Sequence, residues 1–322
     1  GNRVETMAEL LDDAPIQYPR ERHVGKMERG SLTGDIVVAA NLEKVGRAAQ
    51  TTLVTQVSDH DETTREQALS DVTHAARTHA SVDDIRQAAL DRAITPIPED
   101  TPQSDEVTAD LRALSLLTAP SGARLAAPEF DPFFEHTGGY GYTWFRDDSE
   151  VSAALLDVSE RMGIDLDVQL LDSARLYCRT QREDGTWPHR IWAVDERLAP
   201  GWANERIEGV GSGYQADQSA SVTAYLATVL TEREDLLSAE DRARIVDTIQ
   251  NAVRGLDDSL GDDGLPLPCQ NAWEDMTGRF THTTAKFLEA YSTVATAPLE
   301  GDLREHAAAQ AARLFDALDD LW

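Results

Sequence analysis

Gly138-Gly139-Tyr140-Gly141-Tyr142-Thr143-Trp144-Phe145-Arg146-Asp147-Asp148 places glycines, aromatics, an arginine and two aspartates directly before an amphipathic run carrying Val151, Leu155 and Val158. Glycines let backbone come close to a ligand. An aromatic face suits the apolar side of a sugar ring, and an Arg/Asp pair suits its hydroxyls. Phosphate fits poorly, because Asp147 and Asp148 would repel it and no glycine-rich turn followed by lysine is present. The competing reading is structural: the aromatics pack into a core, and the Arg-Asp pair caps a helix.

Downstream of this stretch the pattern is helical. Asp105 can cap a helix over 105–117, and Asp147 or Asp148 one that follows it. Further helices are predicted at 166–179, 216–230, 238–256, 283–293 and 303–321. In the last of these Leu303, Ala307, Leu314, Leu318 and Leu321 form a stripe with the 3.6-residue period. Between Asp184 and Gly213 lies a long polar connection holding Trp187, Arg190, Trp192, Trp202 and Asn204. Loops of that length inside a compact domain are usually functional. About seven helices thus follow residue 104, joined alternately by short turns and long aromatic loops. If successive helices alternate between two layers, the long loops converge on one face, as in an α/α toroid. Residues about 130 positions apart then meet in one pocket.

Upstream, three prolines in 96–102 mark a boundary. Before them, helices are predicted at 62–79, with Asp59 or Asp61 as cap, and at 82–92. The β-branched runs 35–40 and 51–57 read as strands.

The chain has 322 residues, enough for two domains or one large one. It contains no apolar run long enough for a membrane span. Its 58 acidic residues outweigh 29 basic ones, for a net charge of −29. Lysine occurs only at Lys26, Lys44 and Lys286. Acids spread along the whole chain point to a solvated acidic surface on a folded protein, as expected in a high-salt cytosol where self-repulsion is screened. An ordinary acidic enzyme is the other reading. Nucleic acid is excluded as a partner, since no basic face is available to displace its counterions. Cys178 and Cys269 are too few for a disulfide framework and lack metal-ligand spacing. No metal or cofactor is expected.

The second chemical stretch is Trp273-Glu274-Asp275-Met276-Thr277-Gly278. A general acid for glycosidic cleavage must stay protonated near working pH. An apolar neighbour such as Trp273 and an adjacent carboxylate such as Asp275 both disfavour the ionised form of Glu274. An exposed acidic turn beside a core tryptophan would look the same in isolation.

The order of segments is more specific than any one of them. Gly-Gly-Tyr-Gly-Tyr-x-Trp-x-Arg-Asp is followed by Asp-Gly-Thr-Trp-Pro-His-Arg (184–190), Tyr-Gln-Ala-Asp-Gln (214–218) and Ala-Trp-Glu-Asp-x-x-Gly (272–278). This series resembles the glucoamylase family of inverting glycoside hydrolases, family fifteen, over about residues 105–295. The resemblance implies a mainly α chain whose catalytic domain is an (α/α)6 toroid, with about its first half present at 105–322. It also implies the C-terminal remnant of a β-sandwich at 1–60 and a helical linker at 61–104.

On that resemblance Glu274 is the general acid. Arg146 and Asp147 hold hydroxyls of the terminal glucose, and Tyr140 and Trp144 line its subsite. Trp187, Arg190, Trp273 and Asp275 are further substrate contacts. Asp217 either binds substrate or caps a helix. Asp275 stands where the family has a second glutamate, and Phe145 where it has a proline. The family's general base, a glutamate from a late loop, is assigned to no residue here and is expected beyond Trp322. The chain is accordingly expected to be incomplete at its C-terminus, and at its N-terminus, which begins with Gly1.

The implied activity is exo-hydrolysis releasing glucose from non-reducing ends of α-glucosidic oligo- or polysaccharides. Trehalose- or isomaltose-type substrates are the alternatives, as is a non-catalytic sugar-binding protein. A purely helical scaffold explains the stripes but not the order of the loops.

Overall fold

The computed structural model describes residues 43–45, 48–50, 53–55, 63–92, 95–127, 140–198, 215–273 and 276–318. The chain divides into two compact units, Gly1–Ile94 and Thr95–Trp322. It is mainly helical, with a few short strands.

In the first unit, β1 (Glu43–Val45) pairs antiparallel with β2 (Ala48–Gln50). Two helices follow, α1 (Arg65–Thr78) and α2 (Val82–Arg92). Thr64 caps α1, its hydroxyl accepting from the Gln67 amide at 3.2 Å, so the helix starts later than a cap at Asp59 or Asp61 would have it. Of the predicted strand at 51–57, residues 53–55 are described and form no ladder. The predicted strand at 35–40 lies outside the described residues, as does most of the stretch assigned to a β-sandwich.

The second unit opens with α3 (Ser104–Leu117). Asp105 is not its cap: it sits inside the first turn, and Gln103 occupies the cap position in the left-handed region with φ 53° and no side-chain bond. Next come β3 (Thr143–Trp144), α4 (Phe145–Met162), α5 (Asp167–Thr180) and β4 (Arg190–Ile191). They are followed by α6 (Asp217–Glu232), α7 (Ala239–Asp257), the hairpin of β5 (Cys269–Gln270) and β6 (Thr277–Gly278), then α8 (Thr281–Thr296) and α9 (Gly301–Leu318). The seven helical segments read from the sequence after residue 104 are all present, with their described ends shifted by a few residues; Leu321, assigned to the last of them, lies outside the described residues. No helix among the described residues is long and apolar enough to cross a membrane.

Why α6 lies at the centre is written in its composition. Ala, Ser, Val, Leu and Tyr surround it on every side, and 13 of its 16 residues are buried. A helix apolar or small all round must be covered all round. α4 packs on one flank and α8 on the other, while α7 covers a further side. α5 packs against α4 and α7, and α9 against α8. Consecutive helices therefore fall into two layers, with α4, α6 and α8 side by side in one of them.

A buried ion pair ties the start of this unit to α4 and α5. Arg124 donates from Nη1 to Asp148 Oδ1 at 2.9 Å and to Ser152 Oγ at 2.9 Å, and from Nη2 to Ser173 Oγ at 3.0 Å. Tyr177 donates its hydroxyl to Asp148 Oδ2 at 2.7 Å. Burial pushes the Asp148 carboxyl above its ordinary range, with Arg124 and Tyr177 opposing the shift. Asp148 is thus a core anchor and not a helix cap. α4 begins at Phe145 because Trp144, at the cap position, is held extended by the β3–β4 ladder.

A second link joins α5 to α7. Arg175 donates to both oxygens of Asp241, at 2.8 and 2.9 Å, and Ser238 caps α7 while donating to the same carboxylate at 2.6 Å. Arg175, against the opposing effect of burial, holds Asp241 down at about 2. A depressed folded-state pKa contributes stability that is present above the unfolded carboxylate pKa of about 3.9 and lost as pH falls through the folded value. Asp241→Asn is expected to cost about 1–2 kcal/mol near neutral pH, discounted because Arg175 is half-exposed. In denaturant titrations the gap between variant and wild type should close between about pH 4 and pH 2. A gap that persists unchanged to low pH would contradict the linkage.

Candidate functional site

The described ends of the long loops meet at the N-terminal ends of α4, α6 and α8. β3 pairs with β4 in the register Thr143 to Ile191 and Trp144 to Arg190, which joins the glycine-aromatic stretch to the loop after α5. On the other side of that stretch, Ala126 and Ala127 donate backbone bonds to the carbonyls of Tyr142 and Tyr140, at 2.9 and 3.1 Å. The aromatic loop is therefore held on two edges. Gly185 makes the second loop possible: its φ is +80°, and a Cβ there would lie 2.0 Å from the Asn251 carbonyl oxygen. Only glycine can cross α7 that closely.

These loops support an aromatic cluster. Tyr142 and Trp144 are buried, with ring centroids 6.1 Å apart, and Trp192 packs edge-on to Tyr142 at 4.5 Å. Arg190 lies with its guanidinium carbon 4.8 Å from the Tyr142 ring centre and 5.4 Å from that of Trp144. Arg190 is 1% exposed and stacks on both rings, adding cation–π attraction to the cluster. Tyr140 is the exposed member, 57% accessible and 6.1 Å from Trp144.

Trp187 belongs elsewhere. Its ring is fully buried, its indole N–H donates to the Tyr177 carbonyl at 2.9 Å, and its backbone amide donates to Ser219 Oγ at 3.1 Å. The structure places it in the core between α5 and α6, with no surface available to a ligand. Its predecessor Thr186 is fixed by Asp184, which turns the chain inward at this point.

Below the aromatics lies a polar cluster. Arg146 donates through Nη1 to Gln215 and, at 3.4 Å, to Asp217 Oδ2, and its Nη2 lies 3.3 Å from Asp147. Gln215 in turn donates to Gln270 in the hairpin at 3.2 Å. His282 Nε2 sits 3.4 Å from Asp217 Oδ2. Burial alone would raise the Asp217 carboxyl, but His282 and Arg146 outweigh it and hold the group below its ordinary value. Asp217 is the first residue of α6 and 1% exposed; its Oδ1 has no partner among the described residues. Asp147, by contrast, has a side chain 58% exposed and pairs with Arg146.

One turn further along each of the three helices comes a second polar layer. Glu150 of α4 accepts from Ser221 of α6 at 2.9 Å and pairs with Lys286 of α8, which also pairs with Glu289 at 2.7 Å. The two glutamates raise the Lys286 ammonium despite its burial. Arg146/Glu150, Asp217/Ser221 and His282/Lys286 are each an i, i+4 pair on one helix face. The matching order of the two layers makes α4, α6 and α8 parallel.

The hairpin carries Trp273 at its turn. Asn271 accepts and donates across it, its amide reaching the Met276 carbonyl at 2.9 Å. Trp273 is 85% exposed. Glu274 and Asp275 lie outside the described residues, as do Gly138, Gly139, Trp202 and Asn204.

Of the residues singled out by sequence, Tyr140, Trp144, Arg190, Arg146, Asp147 and Asp217 fall into two adjoining clusters. Gln270 and His282 were not singled out. Their only sequence signal is position, at the start and just beyond the end of the hairpin that carries Trp273.

Residues 1–68 match a family described as a domain of unknown function, DUF7997. The match takes in β1, β2 and the first residues of α1. No curated protein matches the chain.

Proposed function

We propose that α3 to α9 belong to an (α/α)6 toroid and that the cluster at the ends of α4, α6 and α8 is the terminal-glucose site of an inverting, exo-acting α-glucosidic hydrolase. The observation that carries this reading is the meeting of Arg146, with Asp147, and Asp217 beneath the Tyr140–Trp144 loop. These groups come from segments about 70 residues apart, and they combine an exposed aromatic face with hydroxyl-binding charges. Carbohydrate sites need that combination, because a pyranose has one apolar face and an equatorial rim of donors and acceptors. In this reading Glu274 protonates the glycosidic oxygen, and a second carboxylate activates water on the opposite face of the ring, roughly 6.5–9.5 Å from the acid.

Sugar transfer to water by this route inverts the anomeric centre. With maltotriose in molar KCl, where the leaving group is maltose and the only glucose formed comes from the attacked ring, anomeric proton signals are expected to show β-glucose before mutarotation equalises the anomers. α-Glucose appearing first would rule out inversion. Binding of maltose with no turnover would make the protein a sugar-binding domain without chemistry, and neither binding nor turnover would remove the sugar reading altogether.

A further inference from the structure

Asp217 is a buried carboxylate with one oxygen engaged and one left over. Oδ2 meets Arg146 Nη1 and His282 Nε2, each at 3.4 Å, while Oδ1 has no partner among the described residues. An acceptor buried without a donor is costly, so such atoms are completed by ordered water or by a ligand. His282 lies in the first turn of α8, where the helix dipole gives no advantage to a cationic side chain. Its placement is accounted for by Asp217, which it faces across the gap between α8 and α6. The ring is half-exposed, so packing does not account for it either. Both contacts to Oδ2 are long, as active-site hydrogen bonds commonly are before a ligand tightens them.

We propose that His282 is a positioning residue for sugar recognition: with Arg146 it anchors Asp217 Oδ2 and so leaves Oδ1 turned to accept a hydrogen bond from one hydroxyl of a bound pyranose. This rests on the sugar-site reading and adds to it the atom that reads the hydroxyl and the side chain that holds that atom in place. His282 itself need not touch the sugar.

The test is calorimetric titration of the intact chain with maltose and with the monodeoxy series of methyl α-glucosides. His282→Ala is expected to weaken maltose binding about tenfold, the value of one charge-assisted hydrogen bond. His282→Gln, which keeps a donor, should recover part of that loss. The melting temperature should stay within about 2 °C of wild type, since a half-exposed side chain is removed. The Ala deficit should vanish for the one deoxy analogue lacking the hydroxyl that Oδ1 accepts, because that contact is already gone. Wild-type binding with an unchanged dissociation constant in His282→Ala overturns the inference alone, as does a lowered melting temperature without an affinity change. A wild-type chain that binds none of these sugars overturns the sugar-site reading, and the inference with it.

Discussion

Asp148→Ala should lower the unfolding free energy by about 3–5 kcal/mol, the usual cost of removing one partner of a buried ion pair. The reason is what remains. Arg124 and Asp148 have side chains 5% and 1% exposed, so the substitution leaves a guanidinium in the core with, among the described residues, the hydroxyls of Ser152 and Ser173 to solvate it. Tyr177 also loses the acceptor for its hydroxyl and keeps only Ser152. The pair crosses from residue 124 to α4 and α5, so its loss should loosen the segment that carries the aromatic loop as well as lowering global stability. A paired replacement, Arg124→Met with Asp148→Leu, should recover most of the loss, since a well-packed apolar pair can match a buried charged one. Urea midpoints of the wild type and the two variants decide it. A single-variant cost below about 1 kcal/mol would show that the core is wet enough there to hydrate a lone guanidinium.

On the proposed hydrolase reading, Glu274→Gln should reduce turnover of maltotriose by about 10²–10⁴-fold with little change in KM, the ordinary contribution of a general acid. The amide keeps the shape and the hydrogen-bonding reach of the side chain but has no proton to give. The same variant should keep far more of its activity on α-glucosyl fluoride, whose leaving group needs little protonation. Equal losses on both substrates would mean that Glu274 binds sugar and does not protonate it. A turnover loss below about tenfold on maltotriose would remove the residue from the chemistry.

How much of this was legible in the sequence depended on whether the signal was local. Helices carry their period within themselves, and 82–92 was readable to the residue while 105–117 became Ser104–Leu117. Helix starts were less legible where a tertiary contact overrides the cap. Asp147 and Asp148 have the chemistry of N-caps, yet the β3–β4 ladder fixes Trp144 at the cap position and leaves both aspartates inside the helix. Trp144 and Trp187 illustrate the same limit. Each follows a glycine-containing turn and precedes an arginine within a few residues. Nothing local says that the first packs in the aromatic cluster under Tyr140 and the second is sealed between α5 and α6. His282 was invisible for another reason: its significance lies in a carboxylate 65 positions earlier, and helical periodicity says nothing about which neighbour a first-turn residue will face. Asp148 posed the same problem, because its partner Arg124 lies 24 positions before it on a segment with no regular period.

The two polar layers across α4, α6 and α8 have a consequence for how the helices find their alignment. Apolar faces rich in alanine slide past one another easily, because one small side chain replaces another at each step. Charges do not. If α4 slid by one turn, about 5.4 Å, towards its N-terminal end, Glu150 would arrive beside Asp217. A slip the other way would bring Arg146 against Lys286 and strip Asp217 of its guanidinium. Either displacement sets like charges together in a poorly hydrated place, where repulsion is weakly screened. The ladder therefore works as a combination lock on helix register, and the lysine retained at 286 in an arginine-dominated chain is one of its tumblers.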